Sequence, residues 1–344
     1  MDCAQIDEQV VRLHPDIAGA ADKFVRVRLT RIAGADLRLF EFDHDLTWHV
    51  FFLNADEHIY GRYGGRDASD PHARITMKGL RYSMDQALEA HKDPPKPAPR
   101  ANPPFRAEDF AAAKRFKGGC IHCHNVNEFR RADEKQQGLW TRDSVWVYPL
   151  PENIGLTLDL DVGNKVKAVA KDSAADKIGV KAGDFLKKLN GNPVASFADA
   201  TYGLHKSPIK GEIPIVWTHD GKEQSAKLEV AEGWRKTNLT WRPSMLDILP
   251  SMPLSGDDLK PEEKKVLGLP AERLAFRQDK FVHSTLKVIG LQKDDVIIGV
   301  GGSKMTGTMD DFLGHIRRNF LVGDKIVLNV LRDGKAIDME MTLK

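Results

Sequence analysis

Hydrophobic positions along the chain repeat with two different periods, and each change of period marks an element. Ile6, Val10 and Leu13 recur at i, i+4 and i+7 while Asp7, Glu8 and Arg12 fall elsewhere on the turn, which predicts a helix over residues 4–14. Val25, Val27 and Leu29 alternate with Arg26 and Arg28, the pattern of a strand with one solvated face over Phe24–Thr30. Trp48–Leu53 is a short apolar run, long enough for a buried strand. Asn54–Glu57 supplies turn residues, so His58–Tyr63 is expected to return as the hairpin partner. Leu80, Met84 and Leu88 place a helix over Thr76–His91.

The pattern breaks at Asp93–Pro104, where six prolines predict an extended, semi-rigid linker or an ordered coil on the surface. A short helix is expected over Ala107–Phe116. A second follows Cys123 and runs through Arg130-Arg131, whose guanidinium groups suit either haem propionates or a solvated face. Beyond Tyr148, glycine and aspartate punctuation sets in and repeats. Gly179–Asp184, Leu189-Asn190-Gly191 and Asp220-Gly221-Lys222 are echoed by Gly290–Asp295, Val300-Gly301-Gly302 and Asp333-Gly334-Lys335. The repeat predicts two related β-rich domains. Residues 231–266 are expected to connect them, with an acidic start and basic end to a helix closed by Gly268.

Composition narrows the class without naming it. A chain of 344 residues with 41% hydrophobic and 29% charged content has room for two or three globular domains. A net charge of +2 gives no electrostatic case for nucleic acid, and no nucleotide-binding motif is evident. No apolar run approaches the roughly 18 residues that span a bilayer. Three cysteines are too few for a disulfide scaffold.

Two of those cysteines stand in Cys120-Ile121-His122-Cys123-His124, a C-x-x-C-H array. Its spacing fits the attachment of haem c, with Cys120 and Cys123 as thioether anchors and His124 as the proximal iron ligand. A redox dithiol, a metal site or a plain disulfide use the same residues. Met252, flanked by prolines, is the candidate distal ligand, with His205, His44, His49 or His58 as substitutes. Haem attachment of this kind implies a periplasmic location and a leader missing from this sequence, since Met1-Asp2-Cys3 runs straight into a polar helix. Without haem, a cytoplasmic location is expected.

Phe42–Trp48, Phe52–Asp56 and Tyr60–Gly64 resemble the second half of a thioredoxin-like domain, with Leu46-Thr47 where such domains carry a cis-proline and threonine. Pro151–Val230 resembles a bacterial PDZ domain. The chain is thus similar to the bacterial thioredoxin-like/PDZ (seleno)protein family. The resemblance implies an α+β multidomain chain: an N-terminally incomplete thioredoxin-like domain over 1–92, the linker over 93–104 and a C-x-x-C-H helical segment over 105–150. A PDZ domain over 151–230, the connector and a second PDZ-like domain over 267–344 complete it. It also places Cys3 at the second redox position, with its partner upstream of Met1, which makes thiol or selenol exchange the alternative activity. In the first PDZ-like domain, Ile154, Gly155, Leu156 and Thr157 fit the loop that receives a peptide carboxylate. Ala200 and Leu204, on a helix over Phe197–His205, would face the ligand. The second copy offers only Leu267-Gly268-Leu269, followed by Pro270, and is expected to be structural. No G-x-S-x-G stretch precedes either copy, which argues against a PDZ-bearing serine protease. The reading that results is an extracytoplasmic electron-transfer protein with a redox partner and a docked protein C-terminus. Thiol exchange and a non-catalytic PDZ adaptor are the alternatives.

Overall fold

In the computed structural model, which describes residues 8–97 and 102–344, the chain forms two units that meet in sequence at Ser244/Met245. The first unit opens with helical residues 8–11 and a helix α1 (Pro15–Ala21) capped by the His14 side chain. The expected hairpin forms as β1 (Val50–Leu53) and β2 (Ile59–Tyr63), antiparallel, with the Asn54 side chain accepting from the His58 N–H. Helix α2 (Met77–Ala90) follows its predicted pattern, with Thr76 as N-cap and Leu80, Met84 and Ala87 buried. One face of the hairpin packs Phe52 and Tyr63 with α1 and α2. Phe51, on the other face, packs against a cluster that includes Phe42, Phe110, Val126 and Phe129.

Two predicted elements differ. Phe24–Thr30 is not a strand: Val25 and Val27 are 94% and 78% exposed, and the alternation finds no sheet to join among the described residues. Ala107–Phe116 is not one helix but two short 3-10 turns, Ala107–Asp109 and Ala113–Arg115. The helix α3 (Cys123–Gln136) starts within the C-x-x-C-H array, where the Asn125 side chain accepts from the His122 N–H.

The PDZ-like part of this unit is built from β3 (Leu156–Leu158), β4 (Val166–Val169), the short helix α4 (Ala174–Lys177), β5 (Phe185–Leu189), β6 (Asn192–Pro193), α5 (Phe197–His205), β7 (Gly211–His219) and β8 (Lys222–Val230). Strands pair as β3-β4 and as β6-β5-β7-β8, all antiparallel. Leu156, Leu158, Leu186, Leu189, Leu204, Ile213, Ile215 and Leu228 fill a common core. Truncating any one of these to alanine is expected to cost about 2–5 kcal/mol.

A buried ionic knot ties the segments of this unit together. Arg242, 2% exposed, donates Nη1 to Asp43 at 2.7 Å and to Asp45 at 3.2 Å, and Nη2 to the Val147 carbonyl at 3.0 Å. Asp45 also accepts from the Ser244 N–H and hydroxyl and from Asn127. Burying these charges is tolerable because the carboxylates and the guanidinium pair with one another and with these further donors and acceptors.

The second unit is a single sheet in the order β13-β12-β11-β10-β9. Its elements are β9 (Gly256–Asp258), α6 (Pro261–Val266), β10 (Phe276–Gln278), α7 (Ser284–Val288), β11 (Val296–Val300), α8 (Met309–Asn319), β12 (Lys325–Arg332) and β13 (Lys335–Thr342). Here the domain begins earlier than the repeat suggested, because β9, inside the expected connector, pairs with β10. Leu267-Gly268-Leu269 therefore follows the edge strand instead of leading into it. No helix among the described residues is long and apolar enough to cross a membrane.

Candidate functional site

The loop at Ile154–Thr157 is shaped by two constraints. Pro151 starts a 3-10 turn over Pro151–Ile154, and Gly155 ends it in the left-handed region at φ 91°. The Gly155 N–H closes the turn on the Glu152 carbonyl at 3.0 Å, and its own carbonyl accepts from Ala170 at 2.8 Å. A Cβ at this position would lie 2.0 Å from Ser173 Oγ, so glycine is required twice over, by conformation and by approach. The chain then enters β3, which pairs with β4 on one edge; its other edge carries no strand among the described residues. Ile154 and Leu156 are buried, and Thr157 is half-buried.

Helix α5 starts where Ser196 caps the Asp199 N–H at 3.0 Å. Its Ala200 and Leu204 are fully buried in the domain core. On the helix, Ala200 lies near Gly203, whose Cα approaches the Leu189 carbonyl of β5 so closely that a Cβ would sit 2.7 Å away. Phe197, Thr201 and Leu204 form an i, i+4, i+7 row along the helix. Phe197 and Thr201 line a cavity of about 20 Å³ together with Leu150, Tyr148 and Gly64–Arg66. Phe197, Thr201 and Glu152 escaped sequence reasoning. The Ser196-x-x-Asp199 cap fixes where the helix begins and hence its phase, and is the one signal in the sequence that bears on the first two.

Asp199 is a further buried group at this helix start. Its carboxylate accepts from the backbone N–H of Arg62 at 2.9 Å and of Ala195 at 3.2 Å. Burial pushes its carboxyl up to about 6, against the pull of Arg62 and these hydrogen bonds.

The C-x-x-C-H residues are not arranged with the other expected ligands. Cys120 is exposed and Cys123 half-buried, with no disulfide between them. His124 Nδ1 lies 2.7 Å from Glu128 Oε1, one helical turn on, and the His122 and His124 rings stack at 5.9 Å. Among the described residues no group of three or more His, Cys, Asp or Glu side chains is placed to hold a metal ion. Met252 packs in the core of the second unit beside Leu254, Leu274 and Phe276, as an ordinary buried side chain. His44 and His49 flank the Phe42 ring at 4.4 and 4.9 Å, with neither ring nitrogen of either hydrogen-bonded. His205 stacks on Tyr148 at 4.2 Å, and His58 meets the edge of Tyr60. Burial takes His44, His49 and His205 down to about 3, so all three are neutral at pH 7. Cys3 lies outside the described residues.

No family model matches the chain. Among curated proteins it is similar to the periplasmic serine endoprotease DegP of Salmonella typhimurium, 30% identical over 151 residues that cover 42% of this chain and 27% of that protein. It is also similar to the periplasmic pH-dependent serine endoprotease DegQ of Escherichia coli, 30% identical over 186 residues, or 54% of this chain and 37% of that protein. The chain thus spans well under half the length of these relatives. Among solved structures, the HtrA-type protease AlgW with a tripeptide overlaps 57% of this chain and 68% of its own at 16% identity, with a TM-score of 0.27. The serine endoprotease from Yersinia pestis overlaps 23% and 28% at 25% identity, with a TM-score of 0.20. Overlaps this loose carry no argument about the fold.

The relatives overturn several expectations. The likeness runs to periplasmic serine endoproteases and not to thioredoxin-like selenoproteins. The described residues of 1–92 agree: their only sheet is the β1–β2 hairpin. Haem c, thiol or selenol exchange and a redox partner rested on a five-residue array and a terminal cysteine, against matches over 151 and 186 residues to proteases. The exclusion of a serine protease is likewise withdrawn, because every relative named above is a serine endoprotease.

Proposed function

We propose that this chain recognises the C-terminal end of a protein chain through its first PDZ-like domain, and does so in HtrA-type proteolysis outside the cytoplasm. The observation that carries the reading is the loop Ile154–Thr157. It combines a left-handed Gly155 with an edge of β3 that no other strand occupies, the two features that strand addition and carboxylate capture need. The names of the relatives supply the compartment and the reaction class, serine endoproteolysis in the periplasm. Leu156, buried at the start of β3, favours an apolar terminal residue.

The test is binding of a C-terminal peptide library to the full chain, followed by casein cleavage assays with the peptides added. Apolar-ended peptides should bind, amidation of their C-terminus should weaken them at least tenfold, and the contacts should map to residues 150–205. Peptides that bind equally well when amidated, or that map to residues 245–344, would refute the assignment.

A further inference from the structure

The groove side of α5 is not open to solvent; residues of the N-terminal part of the same unit lie on it. The Arg62 carbonyl accepts from the Ser196 hydroxyl, and the Arg62 N–H donates to Asp199 at 2.9 Å, so the end of β2 is fastened to the first turn of α5. Gly65 then runs against the Phe197 ring, so closely that a Cβ would sit 2.5 Å from it. Arg74 spans the opening. Its guanidinium lies 4.8 Å from the Phe197 ring centroid on the helix side and donates to Glu152, in the turn that leads into the carboxylate loop, at 2.8 Å. Asp67 holds the same guanidinium at 2.9 Å, and Arg74 is only 14% exposed. Further on, the Thr76 hydroxyl donates to Asp161 at 2.8 Å, just past the end of β3. Gly79 passes so near the Leu160 carbonyl that a Cβ would lie 2.2 Å from it, and Tyr82 donates to Asn164 at 2.8 Å.

These contacts touch the helix side, the loop side and the far end of β3 in turn. Beside the helix-side contacts lies the cavity of about 20 Å³ lined by Phe197, Thr201, Gly64 and Gly65, room for a water molecule only.

We infer that residues 61–82 are a built-in cover over the peptide groove, and that a protein C-terminus binds only when the cover is displaced, with the Arg74–Glu152 ion pair as its latch. The inference rests on the peptide-binding reading above and adds its regulation. Towards the PDZ-like domain the cover is held by polar and ring contacts, with glycines at its closest approaches, while its Tyr63, Met77 and Leu80 stay packed with Phe52 and α1. It is thereby suited to move off the groove together with β1 and α1, without opening the core that Leu156, Ala200 and Leu204 share. A ligand's observed affinity is lowered by the fraction of molecules in which the groove is uncovered.

The experiment uses the full chain, with hydrogen exchange over residues 61–82 and the affinity of one apolar-ended peptide as paired readouts. Arg74→Ala should speed exchange in the cover and tighten peptide binding by about tenfold, the scale of a charge-assisted hydrogen bond lost from the covered state. A second variant keeps the idea testable if that one is unstable: Thr76→Cys with Asp161→Cys, in a background where the native cysteines are serine. Oxidised, it should lose peptide binding, and reduced, it should regain it. Equal affinity in wild type and Arg74→Ala despite faster exchange, or full binding by the oxidised double-cysteine form, would overturn the cover. Failure of every form to bind peptide, with exchange showing the cover open in Arg74→Ala, would instead bring down the peptide-binding reading itself.

Discussion

Acid should destabilise the first unit strongly, and three histidines set the size of the effect. An unfolded histidine titrates at about 6.5, whereas burial holds His44, His49 and His205 at about 3 in the folded chain. Between those values the unfolded chain binds protons that the native one refuses. The stabilisation is therefore fully present above 6.5 and is lost as pH falls towards 3. From pH 7 to pH 5 each histidine removes about 2 kcal/mol, roughly 6 for the three. Asp199 works the other way. Its folded value of about 6 exceeds the unfolded 3.8, so the native state gains a proton over this interval and recovers about 1 kcal/mol. Asp43, raised by burial although Arg242 pulls it down, acts in the same sense as Asp199. The histidines and Asp199 together leave a loss of roughly 5 kcal/mol, which Asp43 reduces, still a large part of a domain's stability.

All six tryptophans lie between Trp48 and Trp241, so their fluorescence during urea unfolding reports the first unit alone. Unfolding curves at pH 7 and pH 5 give the pH increment. His49→Leu removes one titrating ring and its stacking on Phe42. The stacking is lost at both pH values and cancels in the difference, so the increment should shrink by about 2 kcal/mol. An increment unchanged by His49→Leu, and again by His205→Phe, would refute the assignment of the acid effect to these rings.

Two further outcomes follow from single residues. Arg242→Ala should cost the first unit about 3–5 kcal/mol in the same urea assay, because it strands Asp43 and Asp45 without their cation. Gly155→Ala should destabilise by about 1–3 kcal/mol through its left-handed backbone alone, with more from the collision with Ser173, and Ser173→Gly in the same chain should recover only the collision part.

What the sequence made legible was the local structure whose residues are set by the backbone. The β1–β2 hairpin and α2 fell where periodicity and turn residues placed them, and α5 where the PDZ resemblance did. Phe24–Thr30 shows the limit. Alternation reports that a segment is able to be a strand, but a strand also needs a neighbour, and Val25, Val27 and Leu29 instead stand exposed. The C-x-x-C-H array shows a second limit. Five residues carry little information, and in the fold His124 simply pairs with Glu128 on its own helix. At the peptide loop, Gly155 was legible because only glycine suits its φ of 91° and its approach to Ser173. Phe197 and Thr201 were not, since their role depends on which side of α5 meets the loop.

The two PDZ-like domains make the same division from within one chain. In the first, the Asp184 carboxylate accepts from the Lys181 N–H at 2.9 Å, and in the second, Asp295 accepts from the Gln292 N–H at 2.8 Å. Each buried carboxylate closes the turn that the repeated glycine–aspartate punctuation announces. Each also takes a second partner from the last hairpin, one residue before its Asp-Gly turn: His219 Nδ1 at 2.6 Å in the first domain, Arg332 Nε at 2.7 Å in the second. The turn repeats in sequence because its backbone tolerates few residues. The partner does not, because a carboxylate is satisfied equally well by an imidazole or a guanidinium. The latch over the groove belongs to this second kind. Arg74 and Glu152 are 78 positions apart and are joined by charge alone, so no spacing or period marks them as a pair. Contacts of this sort emerge only once the fold has brought their elements together, and they are also the contacts that a ligand or a substitution can break without disturbing the core.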